Sequence, residues 1–244
     1  MIITIKVRCS NSPNETHDAV VQVDGWNDWT IVETDCTQKY GRMFGMMSQC
    51  SKINENIEYN IINKIIEINT PEAVDIILDG IESITPFTKN PFNNPWLKHN
   101  TIKMLSTVGE EHLKRILDIY QNKDFGLIVS TEKMLTSILK NISEQQPNPI
   151  IAQTIQEIIL NKETIEDNHT EILRYYPEYA LETAEILFKQ NKLQQIINIL
   201  KDTNTYKTKE GYKILKLIAQ RGYYEAIGLC NIIENSMPEI TQDS

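Results

Sequence analysis

A chain of 244 residues, 41% hydrophobic, 23% charged and 7% aromatic, is long enough to bury a core and too apolar to be disordered. Nine glycines and nine prolines exclude collagen-like and low-complexity classes. Twenty-four basic against thirty-three acidic residues give a net charge of −9. That field repels a phosphate backbone and no Lys/Arg run offsets it, so no direct binding to duplex nucleic acid is expected.

The first thirty-five residues carry strand signals. Ile3, Ile5 and Val7 alternate with Thr4 and Lys6. Val20-Val21-Gln22-Val23 runs into the turn pair Asp24-Gly25, and Trp29-Thr30-Ile31-Val32 follows. Two or three short strands would make a small sheet or hairpin, too little to fold alone. Residues 36–52, with Gly41, Gly45, three Met and two Cys, fit no period.

From residue 53 the period changes. Ile53, Ile57, Ile61, Ile65 and Ile68 recur at threes and fours, a helix face. Thr70-Pro71-Glu72-Ala73 opens a second helix, with Thr70 as cap and Pro71 in the first turn, and Val74, Ile77, Leu78 and Ile81 form its stripe. Three prolines and three asparagines within 85–95 break the chain. Helices are predicted over 96–107, 110–121 and 131–142. A second break at Gln145-Gln146-Pro147-Asn148-Pro149 precedes helices over 149–161, 167–175, 178–190, 193–201, 210–221 and 223–235. Short helices with short links read as stacked αα-hairpins. The organisation expected is a small β-containing segment (1–52), a helical hairpin (53–90) and a helical repeat region (91–244).

A spacing of 31 recurs near the C-terminus. The stretch from Phe188 through Asn191 to Ile196 aligns with that from Ala219 through Gly222 to Ile227. Asn191 and Gly222 stand at equivalent turns, and both residue types tolerate the left-handed backbone of a helix end. Asn161, thirty residues before Asn191, marks an earlier copy, and Asn122-Lys123 an irregular one. Leu215, Ile218, Ile227 and Ile232 are expected to be buried together in the last hairpin. The stretch from Leu215 to Cys230 resembles the two helices of an ankyrin repeat, with Ala219, Gly222, Glu225, Ile227 and Leu229 at matching small, turn, acidic and apolar positions. The Thr-Pro-Leu-His opening of that family is absent before the first helix, and tetratricopeptide pairs have a similar period but fit less well. What the resemblance implies is a helical repeat whose usual role is protein binding.

Chemistry-bearing residues are sparse. His17, His99, His112 and His169 sit on separate segments without an H-E-x-x-H arrangement, and His112, opening a helix beside Glu110 and Glu111, is expected to be exposed. Asp24, Asp28 and Asp35 do not match a calcium loop and read as turn residues. Cys9, Cys36, Cys50 and Cys230 lack C-x-x-C or zinc spacing, and reduced thiols are the default, with one disulfide among the first three left open. No apolar run approaches a membrane span and no secretory signal is recognised, so a soluble, cytoplasmic chain is expected. Ile at about one residue in six and Asn at about one in eleven point to an AT-rich genome, and hence to a parasite, symbiont or virus and a host cytoplasm. No catalytic, cofactor-binding or metal residue is assigned. Trp26 and Trp29 flank Asn27-Asp28 in a turn, and Tyr175-Tyr176 and Tyr223-Tyr224 sit at helix junctions. Of these, Trp26, Trp29, Tyr176 and Tyr223 are the candidate partner-binding anchors, because Trp and Tyr dominate interface hot spots. The sequence therefore implies a mainly α protein, an irregular α-solenoid of stacked hairpins with a small N-terminal β element, acting as a non-enzymatic protein-interaction or adaptor module. A structural subunit of a ribonucleoprotein or virion, or an enzyme with a site assembled from distant residues, are the alternatives.

Overall fold

In the computed structural model, residues 1–9, 12–34, 57–126, 128–161 and 167–241 are described. They are mainly helical, with a three-stranded antiparallel sheet at the N-terminus. The unassigned segment 36–52, with Cys36 and Cys50, lies outside them, as do Ile53 and Asp35. The chain divides into two compact units, Met1–Met134 and Leu135–Ser244.

In the N-terminal unit, β1 (Ile2–Cys9), β2 (Ser12–Gly25) and β3 (Asp28–Thr34) form a meander in the order β1-β2-β3. Ile3 pairs with Val21, Ile5 with Ala19 and Val7 with His17. With this register Ile3, Ile5, Val7, Ala19, Val21 and Val23 all lie on one buried face. β2 begins earlier than the apolar pattern indicates, because its polar first half gains strand geometry by pairing with β1. The sheet does not stand alone. Helix α1 (Ile57–Ile68) packs on β1, and its Asn60 amide donates to the Lys6 carbonyl at 2.9 Å.

The buried stripe of α1 is Ile61, Ile62, Ile65 and Ile66, rotated from the expected line, since Ile57 and Ile68 are only half-buried. Helix α2 (Pro71–Ser83) starts as its sequence dictates, with Thr70 Oγ1 accepting from Ala73 N at 3.3 Å and Pro71 in the first turn. The Pro/Asn-rich break is ordered by side-chain caps rather than left open. Asn90 accepts from Phe92 N at the start of a short 3-10 helix (Pro91–Asn93), and Asn94 accepts from Trp96 N and Leu97 N at the start of α3 (Pro95–Leu105). Phe92 in this break is 1% exposed, a core residue in a segment that composition marks as loop. Helix α4 (Glu110–Asn122) buries Leu113, Ile116, Leu117, Ile119 and Tyr120. Its Arg115 reaches Asp75 and Glu82 of α2 at 3.3 and 3.1 Å and also pairs with Asp79. Helix α5 (Val129–Gln145) runs through the division between the units.

The C-terminal unit continues with α6 (Pro149–Asn161), α7 (Asp167–Leu173), α8 (Pro177–Lys189), α9 (Leu193–Asp202), α10 (Lys209–Ala219), α11 (Tyr224–Ser236) and the short α12 (Pro238–Thr241). Asn191 has φ 59° and Gly222 φ 87°, so both turns of the 31-residue register take the left-handed backbone. The register is also a contact. Arg221 donates to Asn191 Oδ1 at 2.9 Å and lies 4.6 Å from the Phe188 ring centre, while Gln194 donates to Glu225 at 3.1 Å. The expected stripe of α11 needs correction. Leu215 and Ile218 of α10 are fully buried, but Ile227 and Ile232 are 36% and 55% exposed. Ala226, Cys230 and Ile233 face inward instead. α11 is apolar around most of its circumference, so its sequence does not select the stripe that meets α10.

Candidate functional site

The N-terminal unit encloses an open cavity of about 550 Å³. The turn after β2 supplies Trp26, β3 supplies Trp29, and the first turn of α1 supplies Glu58 and Tyr59. Ile61 and Ile62 form an apolar wall, and Lys89 comes from the break that precedes α3. The cavity exists because three elements distant in sequence converge on it. The meander brings the β2–β3 turn over α2, α1 packs on the same sheet, and the capped break returns the chain to their end.

Trp26 is half-buried and fixed from behind. Its ring stacks on Phe92 with centroids 5.7 Å apart and planes at 25°. Gly80 of α2 lies against it, so that a Cβ there would sit 2.3 Å from the indole carbons. A glycine mid-helix costs about 1 kcal/mol relative to alanine, and here its absent side chain is what admits the ring. Trp29, also half-buried, lines the same space from the edge of the sheet. Three-residue spacing does not place the two Trp on one strand face, yet the turn between them brings both to one cavity. Tyr59 extends the aromatic surface toward Trp96, whose ring lies 6.3 Å away and which is 48% exposed. Glu58 and Lys89 are exposed at the cavity and make no hydrogen bond or ion pair with the described residues.

The other two anchor candidates lie elsewhere. Tyr176 is 6% exposed, so its ring is not available as a surface anchor. Its hydroxyl donates to Ser143 Oγ at 2.9 Å and accepts from Asn148 N at 3.1 Å, which ties the α5–α6 connection to the start of α8. Tyr223 is 38% exposed, and its neighbour Tyr224, not singled out from sequence, is 90% exposed.

The remaining titratable groups assemble no comparable site among the described residues. His112 is half-buried rather than exposed, because its Nε2 meets Asp75 Oδ1 of α2 at 3.3 Å. His169 is 2% exposed, His17 half-buried and His99 exposed. No group of three or more His, Cys, Asp or Glu among the described residues is placed to hold a metal ion. Burial pushes the Tyr212 hydroxyl to about 12, helped by its hydrogen bond to Glu234 at 2.7 Å, and pushes the Cys230 thiol to about 11, so neither ionises near neutral pH. No helix among the described residues is long and apolar enough to cross a membrane.

No family model matches the chain, no curated protein matches it, and no solved structure matches it.

Proposed function

We propose that the chain is a non-enzymatic binding protein whose partner is another protein, and that the aromatic cleft of the N-terminal unit is where the partner is held. The observation that carries this reading is the convergence of Trp26, Trp29 and Tyr59 on one open cavity, with the exposed Trp96 ring beside Tyr59. Aromatic side chains bury large areas with few rotatable bonds, and interface hot spots are enriched in them for that reason. In the C-terminal unit, the left-handed turns 31 residues apart and the Asn191–Arg221 and Gln194–Glu225 contacts support an irregular, ankyrin-like solenoid of helical hairpins, which would present a further protein-binding surface.

The test is affinity capture from the native source with the unaltered chain, Trp29→Ala and, as a control away from the cleft, Tyr224→Ser. Circular dichroism melts establish that all three are folded. A partner protein retained by the unaltered chain and the control but lost with Trp29→Ala supports the reading. A partner set indifferent to Trp29→Ala overturns the cleft as the binding site.

A further inference from the structure

We infer that the ligand group the cleft takes is an alkylated ammonium, the chemistry shared by a methylated lysine side chain and a choline head group. This deepens the protein-binding reading and rests on the cleft being its site. A cation held near the face of Trp or Tyr is attracted by the ring quadrupole, and three such side chains line this one cavity. Glu58 adds a carboxylate at the same cavity, and no described residue neutralises it. The net charge of −9 raises the local concentration of cations around the whole molecule.

The same features select among cations. Ile61, Ile62 and Leu97 make part of the lining apolar, and a strongly hydrated ammonium loses its water shell there without replacement. Alkyl groups on the nitrogen weaken that hydration and add area to bury. Lys89, the one cation among the described lining residues, is complementary to a carbonyl or anionic group carried on the same ligand. Such groups accompany the ammonium both in a peptide and in a head group. The Phe92 stack and the Gly80 contact fix Trp26 before a ligand arrives, which reduces the ordering that binding requires.

The experiment titrates the full chain with choline chloride, with a short uncharged peptide bearing one trimethyllysine, and with dimethylbutanol, the neutral carbon isostere of choline. Tryptophan fluorescence and calorimetry are the readouts. Both cations should bind and compete with each other, and the neutral isostere should bind about tenfold more weakly or less, the ratio a cation–π cluster implies. Glu58→Gln alters an exposed residue and leaves the fold in place. It should weaken both cations severalfold and leave the isostere unchanged. Equal binding of isostere and choline, or no binding of either cation, overturns the inference while capture that depends on Trp29 still upholds the protein-binding reading. Binding of choline without the peptide upholds the ammonium site and assigns it to a free or lipid-borne head group, and the protein-binding reading then fails unless capture still depends on Trp29.

Discussion

The two units bring their parts together over different distances along the chain. In the N-terminal unit the cleft joins Trp26, Tyr59 and Lys89, so no short stretch of sequence contains the site. In the C-terminal unit the contacts from Arg221 to Asn191 and from Gln194 to Glu225 join residues 30 and 31 apart in the chain. Convergence from distant parts of the chain produces a shaped concavity, whereas contacts over a shorter separation tie neighbouring helices to one another. The difference also appears in how each unit uses glycine. Gly80 makes room for a side chain, Trp26; Gly211 of α10 makes room for backbone, since a Cβ there would stand 2.0 Å from the Thr205 carbonyl oxygen.

That contrast is open to direct tests, and the glycine pair carries the largest expected effect. Trp26 can swing away at the expense of its stack on Phe92, but the Thr205 carbonyl belongs to a buried turn and has nowhere to move. Gly211→Ala is therefore expected to cost about 3 kcal/mol, the upper end for overpacking, and Gly80→Ala about 1–2 kcal/mol. Urea denaturation monitored separately for the two units measures both. A larger loss for Gly80→Ala would reverse the assignment of side-chain and backbone packing.

A second test sharpens the packing of the last hairpin. Ile233 is fully buried and Ile232 is 55% exposed, although they are adjacent and identical in type. Ile233→Ala should lower stability by about 3 kcal/mol, the usual result for a buried large-to-small change, whereas Ile232→Ala should stay within about 0.5 kcal/mol. A larger loss for Ile232→Ala than for Ile233→Ala would mean that α11 faces α10 along the line expected from sequence.

The smallest effect concerns the left-handed turn. An added Cβ at Gly222 meets nothing within 4 Å, so any penalty there is conformational rather than steric crowding by neighbours. Gly222→Val should cost about 1–2 kcal/mol and Gly222→Asn about half that, because asparagine visits this backbone more readily. Thermal melts that find the two equally harmless would remove the physical basis of the 31-residue register.

Much of the helical layout was legible because its signals are local. Thr70-Pro71 marks a helix start with a side chain that bonds the backbone three residues on, and Asn191 and Gly222 mark the turns, whereas Asn90 and Asn94 read only as part of a break and proved to be caps. The cleft was legible only in part. Trp26 and Trp29 stood out as anchor types, but nothing in the spacing of Glu58, Tyr59 or Lys89 announces that they meet those rings. Tyr176 shows the opposite failure, since a tyrosine at a junction reads as a surface anchor until its hydroxyl is found bonded to Ser143 in the interior.

By itself, then, the sequence determined that the chain is mainly helical behind a short β segment, where most helices begin and end, and that Asn191 and Gly222 take positive φ; Asn69 and Asn204, which do so too, were not marked. Periodicity, caps and glycine chemistry act within one turn of backbone, so they set where an element starts and stops more firmly than which face it buries. Tertiary structure alone decided which stripe of α1 and α11 is buried, that Phe92 belongs to the core, and that Gly80 lies under Trp26. Those outcomes depend on which surfaces meet, and side chains apolar on several faces leave that choice to the neighbours that cover them.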